Sequence, residues 1–248
     1  MVIRVEHRGG VAVLHIEHGK ANAIDIEFCE QLTTELRRQT DGAVVLTGRG
    51  SIFSAGVDLL RVLDGGADYV RRFLPILGKF CETVFGFPQP LVTAINGHAI
   101  AGGCVLACMA DWRIMALDGG QIGVPELRVG VPYPVAALEV MRFAVPRRYF
   151  SDVVYGGDSY DPAAALTRGL VDEVVEPDDL LDRAAAAAKR MATRVPESFQ
   201  LTKAQVRSPT LQRMRSGATH DAKVLDIWMS DATLAAIRTY VSRTFKRR

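Results

Sequence analysis

Asn96-Gly97-His98-Ala99-Ile100-Ala101-Gly102-Gly103-Cys104 is the stretch on which the fold turns. The residues before it, 91–95, are a short apolar run that reads as a buried strand, and Asn96-Gly97 turns the chain out of it. After Gly102-Gly103 the chain is apolar through Ala110 and reads as a helix. Strand, glycine turn and helix in that order build α/β folds, and open α/β folds hold ligands at the ends of their strands. The glycines let the backbone turn sharply and leave free amides at a helix start, where the helix dipole favours negative charge.

Two more turns stand at strand ends on either side. Phe53-Ser54-Ala55-Gly56-Val57-Asp58 follows the apolar run 43–46, and Pro125-Glu126-Leu127 follows the run 112–116 and a glycine-containing hairpin. Amides from two separate loops can hold a thioester carbonyl oxygen as it becomes an enolate. A carboxylate beside the α carbon can then move protons. Each turn alone has a plainer reading: Gly-Gly before a helix allows close packing, and a single Glu is ordinarily solvated. Their order along the chain carries the argument.

The remaining pattern frames these turns. Residues 2–6 and 11–17 read as a hairpin turning at Gly9-Gly10, and Ile24, Phe28, Leu32 and Leu36 form a helical stripe over 24–39. Residues 48–58 are expected to be a loop, and 68–85 a helix crossed by Pro75. Beyond Pro134, residues 134–144, 147–155, 162–168, 178–194, 197–206 and 217–246 read as helices, the last broken near Ser230-Asp231. Only 170–175 is strand-like there. This predicts an α/β core (1–195) and a C-terminal helical region (196–248) within one structural domain, with no internal sequence repeat.

With 248 residues, 48% hydrophobic and 23% charged, the chain can bury a full core without disulfides or metals, and it is neither disordered nor a coiled coil. No apolar run approaches the roughly 18 residues of a membrane span. The sequence enters a strand pattern at once, so no signal segment is expected. Cys29, Cys81, Cys104 and Cys108 show neither a CxxC pair nor a histidine at zinc spacing, which suggests buried thiols in a reduced, cytoplasmic protein. The formal charge of +2 hides an asymmetry. Residues 203–248 hold ten Lys+Arg against three Asp+Glu, leaving 20 against 25 in residues 1–202.

Taken together, Lys20-Ala21-Asn22-Ala23, Phe53 to Leu59, Asn96 to Cys104, Asp111-Trp112-Arg113-Ile114 and Pro125-Glu126-Leu127 resemble the crotonase (enoyl-CoA hydratase/isomerase) superfamily over nearly the whole chain. The resemblance implies a spiral of ββα units with C-terminal helices that assemble homotrimers, often paired into hexamers. It also implies an acyl-CoA thioester substrate and no separate cofactor or metal. Val57 and Gly102 would donate the two oxyanion-hole amides. Ala55, Asp58 and Leu59, with Lys20, Ala21 and Ala23, would line the coenzyme A groove. Gly103, Val105 and Pro125 would flank the reacting atoms, and Glu126 would be the acid/base.

One position departs from the hydratase pattern. Hydratases of this family carry a first glutamate two residues after the Gly-Gly pair, where this chain has Val105. Valine has no lone pair and no proton to offer. Moving a double bond from β,γ to α,β needs only one carboxylate and an oxyanion hole, and members that resemble monofunctional Δ3,Δ2-enoyl-CoA isomerases show this pattern. The dienoyl-CoA isomerase subgroup has a second acid eight residues beyond the Pro-Glu glutamate, where this chain has Pro134. The expected reaction is therefore isomerisation. Hydration, or acyl-CoA binding without catalysis, stands as the alternative. His98 and Asp111 are expected to have structural roles. Binding to nucleic acid or membrane is not expected. Arg243 and Phe245-Lys246-Arg247-Arg248 are candidate contacts for the coenzyme A phosphates, although helix solvation accounts for most of the ten cations.

Overall fold

The computed structural model describes residues 3–118 and 120–245. The chain opens with the antiparallel hairpin β1 (Ile3–Arg8) and β2 (Val11–Ile16), then α1 (Ile26–Arg38). Asp25 starts α1 by accepting a hydrogen bond from Phe28 N at 2.8 Å, which satisfies one of the helix's free amides. Three strand–strand–helix units follow. They are β3 (Ala43–Thr47), β4 (Ile52–Ser54) and α2 (Leu59–Phe85); β5 (Leu91–Ile95), β6 (His98–Ile100) and α3 (Gly102–Cys108); and β7 (Trp112–Ala116), β8 (Ile122–Gly123) and α4 (Glu126–Val129).

In each unit the first strand joins a six-stranded sheet, ordered β1-β2-β3-β5-β7-β10, and the second joins a four-stranded sheet, ordered β4-β6-β8-β9. The units pair in parallel with one another in both sheets. Here is the spiral that the resemblance implies, and it explains why no repeat is visible in the sequence. The three helices are 27, 7 and 4 residues long, so the structural repeat has no fixed period. After α5 (Val135–Ala144) and α6 (Arg147–Gly156) come β9 (Ser159–Tyr160), α7 (Pro162–Arg168) and β10 (Glu173–Val175), then α8 (Leu180–Ala192), α9 (Pro196–Ser216), α10 (Ala218–Met229) and α11 (Asp231–Phe245).

The inner strands β2, β3 and β5 of the large sheet are buried on both faces and almost wholly apolar, whereas the edge strand β1 carries Arg4, Glu6 and Arg8 and is partly exposed. Leu14, Leu46 and Ile95 face the main core with α1 and α2. Val13, Val45, Val92 and Ile114 face Leu180, Ala184, Ala187 and Ala188 of α8. The alanine run of 184–188 is thus a packing surface, since small side chains let the helix lie close against the sheet.

Some elements differ from the sequence expectation. Residues 59–67 are helical, because Asp58 caps α2 by accepting from Leu60 N and Arg61 N, both at 3.0 Å. The helix is interrupted only at Gly66 (φ 55°, ψ −149°). The expected helix over 197–206 continues through Pro209 to Ser216. The strands β4, β6, β8 and β9 span two or three residues each, too few for a periodic signal. Val2 and residues 246–248, which the sequence reading placed in a strand and a basic tail, lie outside the described residues.

Helix α9 is fastened to the spiral at one carboxylate. Asp111 accepts from Lys203 Nζ and from an Arg207 guanidinium nitrogen, both at 2.6 Å, and from Leu91 N at 2.8 Å. Lys203 also donates to Gln89 O, and Arg207 to Met109 O, both at 2.8 Å. Both cations are buried. Burial pulls the Lys203 ammonium down to about 8, with Arg207 adding to the effect and Asp111 opposing it. Two of the cations in the basic C-terminal fifth are thus internal fastenings.

Candidate active site

The first loop of the site is held from below by the segment before α1. Ala55 N donates to Ala21 O at 3.0 Å, Ile24 N to Gly56 O at 2.7 Å, and Asp58 N to Ile24 O at 3.0 Å. The Asn22 side chain donates to Ile52 O and Phe53 O at 3.1 and 3.2 Å, and its own backbone takes a positive φ of 49°. This pairing leaves Val57 N facing away from Ile24, with no backbone acceptor among the described residues.

The second loop brings Gly102 N to the same place. Ala101 has φ 53° and ψ −125°, a conformation that a non-glycine residue rarely adopts, and its amide is held by Gly123 O at 2.8 Å. That turn opens α3 with Gly102 N unpaired inside the helix. A Cβ on Gly102 would lie 3.5 Å from Val57 N, and one on Gly56 would lie 2.8 Å from Gly102 N. The two free amides therefore adjoin, in the arrangement that holds a developing oxyanion. Gly56 itself has φ +83°, and a Cβ there would meet Ile100 O at 2.6 Å. Gly56→Ala is expected to lose at least about tenfold in kcat and about 1–3 kcal/mol of stability. Steady-state kinetics with urea unfolding of the same variant measures both.

Glu126, at the first turn of α4, lines the same pocket as the amides, and the end of α4 is closed by Gly130 at φ 95°. The carboxylate is buried, and its Oε2 has no hydrogen-bond partner among the described residues. Burial pushes its pKa up to about 7, while its own backbone amide and the Tyr133 hydroxyl oppose the rise. The Tyr133 proton goes elsewhere, to Val124 O at 2.9 Å. A carboxyl balanced near neutrality can both accept and return a proton.

These groups open into one pocket of about 740 Å³, part of it open to solvent. Among the described residues Glu126 is its one carboxylate; the wall is otherwise apolar except for the Tyr240 hydroxyl and the Cys81 thiol. Val57, Gly102, Ala55, Leu59, Val105 and Pro125 all line the pocket with Glu126. Gly103 lies behind the wall, where a Cβ would strike Ser54 O at 2.2 Å; its role is close packing. Lys20 is exposed, Ala21 and Ala23 are half-buried, and all three lie on the segment beside the pocket mouth. The Asp58 carboxylate is engaged in capping α2. His98 stands outside the wall and accepts from Gln121 N through Nδ1 at 3.1 Å, a turn-holding role. Arg243 is exposed on α11, while Lys246, Arg247 and Arg248 are outside the described residues.

Sequence reasoning missed Trp228 of α10 and Tyr240 of α11, which complete the pocket wall from about 100 residues downstream. It also missed Phe80, Cys81 and Met109. No local signal marks them, because each is one apolar residue on a helix with an apolar face. Among the described residues no three His, Cys, Asp or Glu side chains converge as a metal site, and no helix is long and apolar enough to cross a membrane.

Comparison with known proteins agrees with this geometry. The structure superposes on human mitochondrial Δ3,Δ2-enoyl-CoA isomerase with a TM-score of 0.95 at 26% identity, covering all of both chains. Rat mitochondrial enoyl-CoA delta isomerase 1 is 26% identical over 250 residues, 98% of this chain and 86% of that protein. A probable enoyl-CoA hydratase of Mycobacterium tuberculosis, EchA17, is 33% identical over 202 residues, 79% of this chain and 77% of that protein. The family model for enoyl-CoA hydratase/isomerase matches residues 6–243. The chain belongs to the enoyl-CoA hydratase/isomerase family, with the crotonase fold.

Proposed function

We propose that the protein shifts a carbon–carbon double bond from the β,γ to the α,β position of enoyl-CoA thioesters. The observation that carries this reading is the solitary carboxylate: Glu126 lines the same pocket as the paired amides of Val57 and Gly102, and Val105 fills the space where a second acid would act. The thioester oxygen sits between the two amides. Glu126 removes a proton from the α carbon, and the electron pair delocalises through the thioester and the former β,γ bond as a dienolate. The same carboxylic acid returns the proton to the γ carbon, which leaves the double bond at α,β and Glu126 ionised again. Each oxyanion donor is worth about 2.7–4 kcal/mol and a positioned base about 10²–10⁴-fold, which suits an α proton already acidified by the thioester. The segment of Lys20, Ala21 and Ala23, with Ala55, Asp58 and Leu59, is proposed to hold the coenzyme A portion.

The similarity to the human and rat isomerases supports this reading, and the hydratase names of other relatives keep hydration as the second. Purified protein offered 3-enoyl-, 2-enoyl- and dienoyl-CoA substrates separates them. Rapid conversion of 3-enoyl-CoA with little water addition to 2-enoyl-CoA is expected, and the reverse preference would overturn the proposal. Because the base must be ionised in the free enzyme, kcat/KM for isomerisation is expected to rise with pH through about 7, the value to which burial lifts Glu126, and then level off. A profile already flat from pH 5 would assign the base elsewhere.

A further inference from the structure

The pocket has a direction, which burial reveals. At its rim Ala55 is exposed and Val57, Leu59, Ile100 and Ala101 are half-buried. The buried part of the wall, in which Glu126 stands, is formed by Phe80, Cys81, Met109, Val129, Val131 and Trp228. Trp228 is only 2% exposed, and its indole N–H donates to Pro132 O at 2.9 Å. That hydrogen bond ties α10 to the loop that follows α4, so the ring is a fixed wall and presents only carbon to the pocket. The Cys81 thiol stays neutral, its pKa pushed up to about 12 by burial. The buried walls therefore offer no charged group besides Glu126, only carbon and the neutral sulfurs of Cys81 and Met109.

We propose that Trp228 is the specificity-determining residue for acyl length: the pocket takes thioesters of purely hydrocarbon acyl chains, and the chain terminus stops against the indole. This rests on the acyl-CoA reading of the pocket but not on the reaction carried out there. Up to the stop, each added methylene trades water for an apolar wall, worth about fourfold in affinity. Past it, a further methylene must displace a packed ring held at its nitrogen, and the gain ceases.

The test uses saturated acyl-CoA esters of increasing length, which bind without turnover. The chain has two tryptophans, so Trp112→Phe leaves Trp228 as the single indole reporter in an otherwise intact pocket. Affinity is expected to climb about fourfold per methylene and then level, with the Trp228 emission shifting at the length where it levels. Trp228→Leu and the milder Trp228→Phe are expected to move that break to longer chains and to raise affinity for the first excluded length about tenfold. A break that stays put in both variants, or Trp228 emission unchanged by an acyl-CoA that binds, would overturn the proposal. Failure to bind any acyl-CoA would overturn it together with the reading of the groove. Length-dependent binding without conversion of any 3-enoyl-CoA would overturn the isomerase reading alone.

Discussion

Glu126→Gln is expected to lower kcat for 3-enoyl-CoA by about 10²–10⁴-fold while leaving the affinity for saturated acyl-CoA unchanged. The amide fills the same space but takes no proton, so the pocket survives and the chemistry stops. The same variant should unfold less readily, and the sign follows from the buried carboxylate. In the folded protein Glu126 titrates near 7, against an ordinary value of 4.5. Between those values the folded state holds the proton more tightly than the unfolded chain, so stability falls as pH rises through this window. Above pH 7 the full cost is present, on the order of 3 kcal/mol. Glutamine never ionises, and its advantage in urea midpoint should grow from pH 4.5 to pH 8. Full activity in the variant would remove Glu126 from the mechanism. Lost activity with a lowered midpoint at every pH would point to a structural role instead.

The second large effect concerns stability. Asp111→Ala is expected to cost about 3–5 kcal/mol, because it leaves two buried cations facing each other without a counter-charge. Its pH dependence identifies the cause. Lys203 titrates near 8 in the folded protein against 10.5 ordinarily, so the folded state sheds that proton first and stability rises with pH between those values. Without Asp111 the lysine loses its attractive partner and the window widens toward lower pH. The variant should therefore recover part of its lost stability between pH 7 and pH 9.5, measured by urea unfolding at each pH. A deficit constant across that range would mean that the loss is of packing rather than of charge balance.

Much of the site can be read locally. The glycine turns at Gly56-Val57 and Gly102-Gly103 are visible in the sequence, but each alone also reads as close packing. It is their order with Pro125-Glu126, and the resemblance that order carries, that marks them as a site. Val105 carries the proposed choice between the two reactions, because a valine cannot replace a carboxylate. The distant wall is not legible in the same way. Trp228 and Tyr240 reach the pocket only through the docking of α10 and α11, and an indole on an amphipathic helix looks the same whether it meets a core or a ligand. The fold divides along the same line. The inner strands of the large sheet are apolar runs, whereas those of the small sheet are too short to carry a period. Lys203 and Arg207 read as part of a basic surface, and only their pairing with Asp111 in the folded chain turns them inward.

Because Trp228 and Tyr240 belong to the last two helices while Glu126 and the two amides belong to the spiral, an acyl chain bound as proposed would touch both parts of the molecule at once. Occupancy and C-terminal docking are then linked equilibria: the free energy by which docked helices tighten the ligand is the same by which the ligand tightens the helices. Substrate acts as a cross-brace. On the proposed reading, acyl-CoA would hold α10 and α11 seated, and its removal would leave their docking to protein contacts alone.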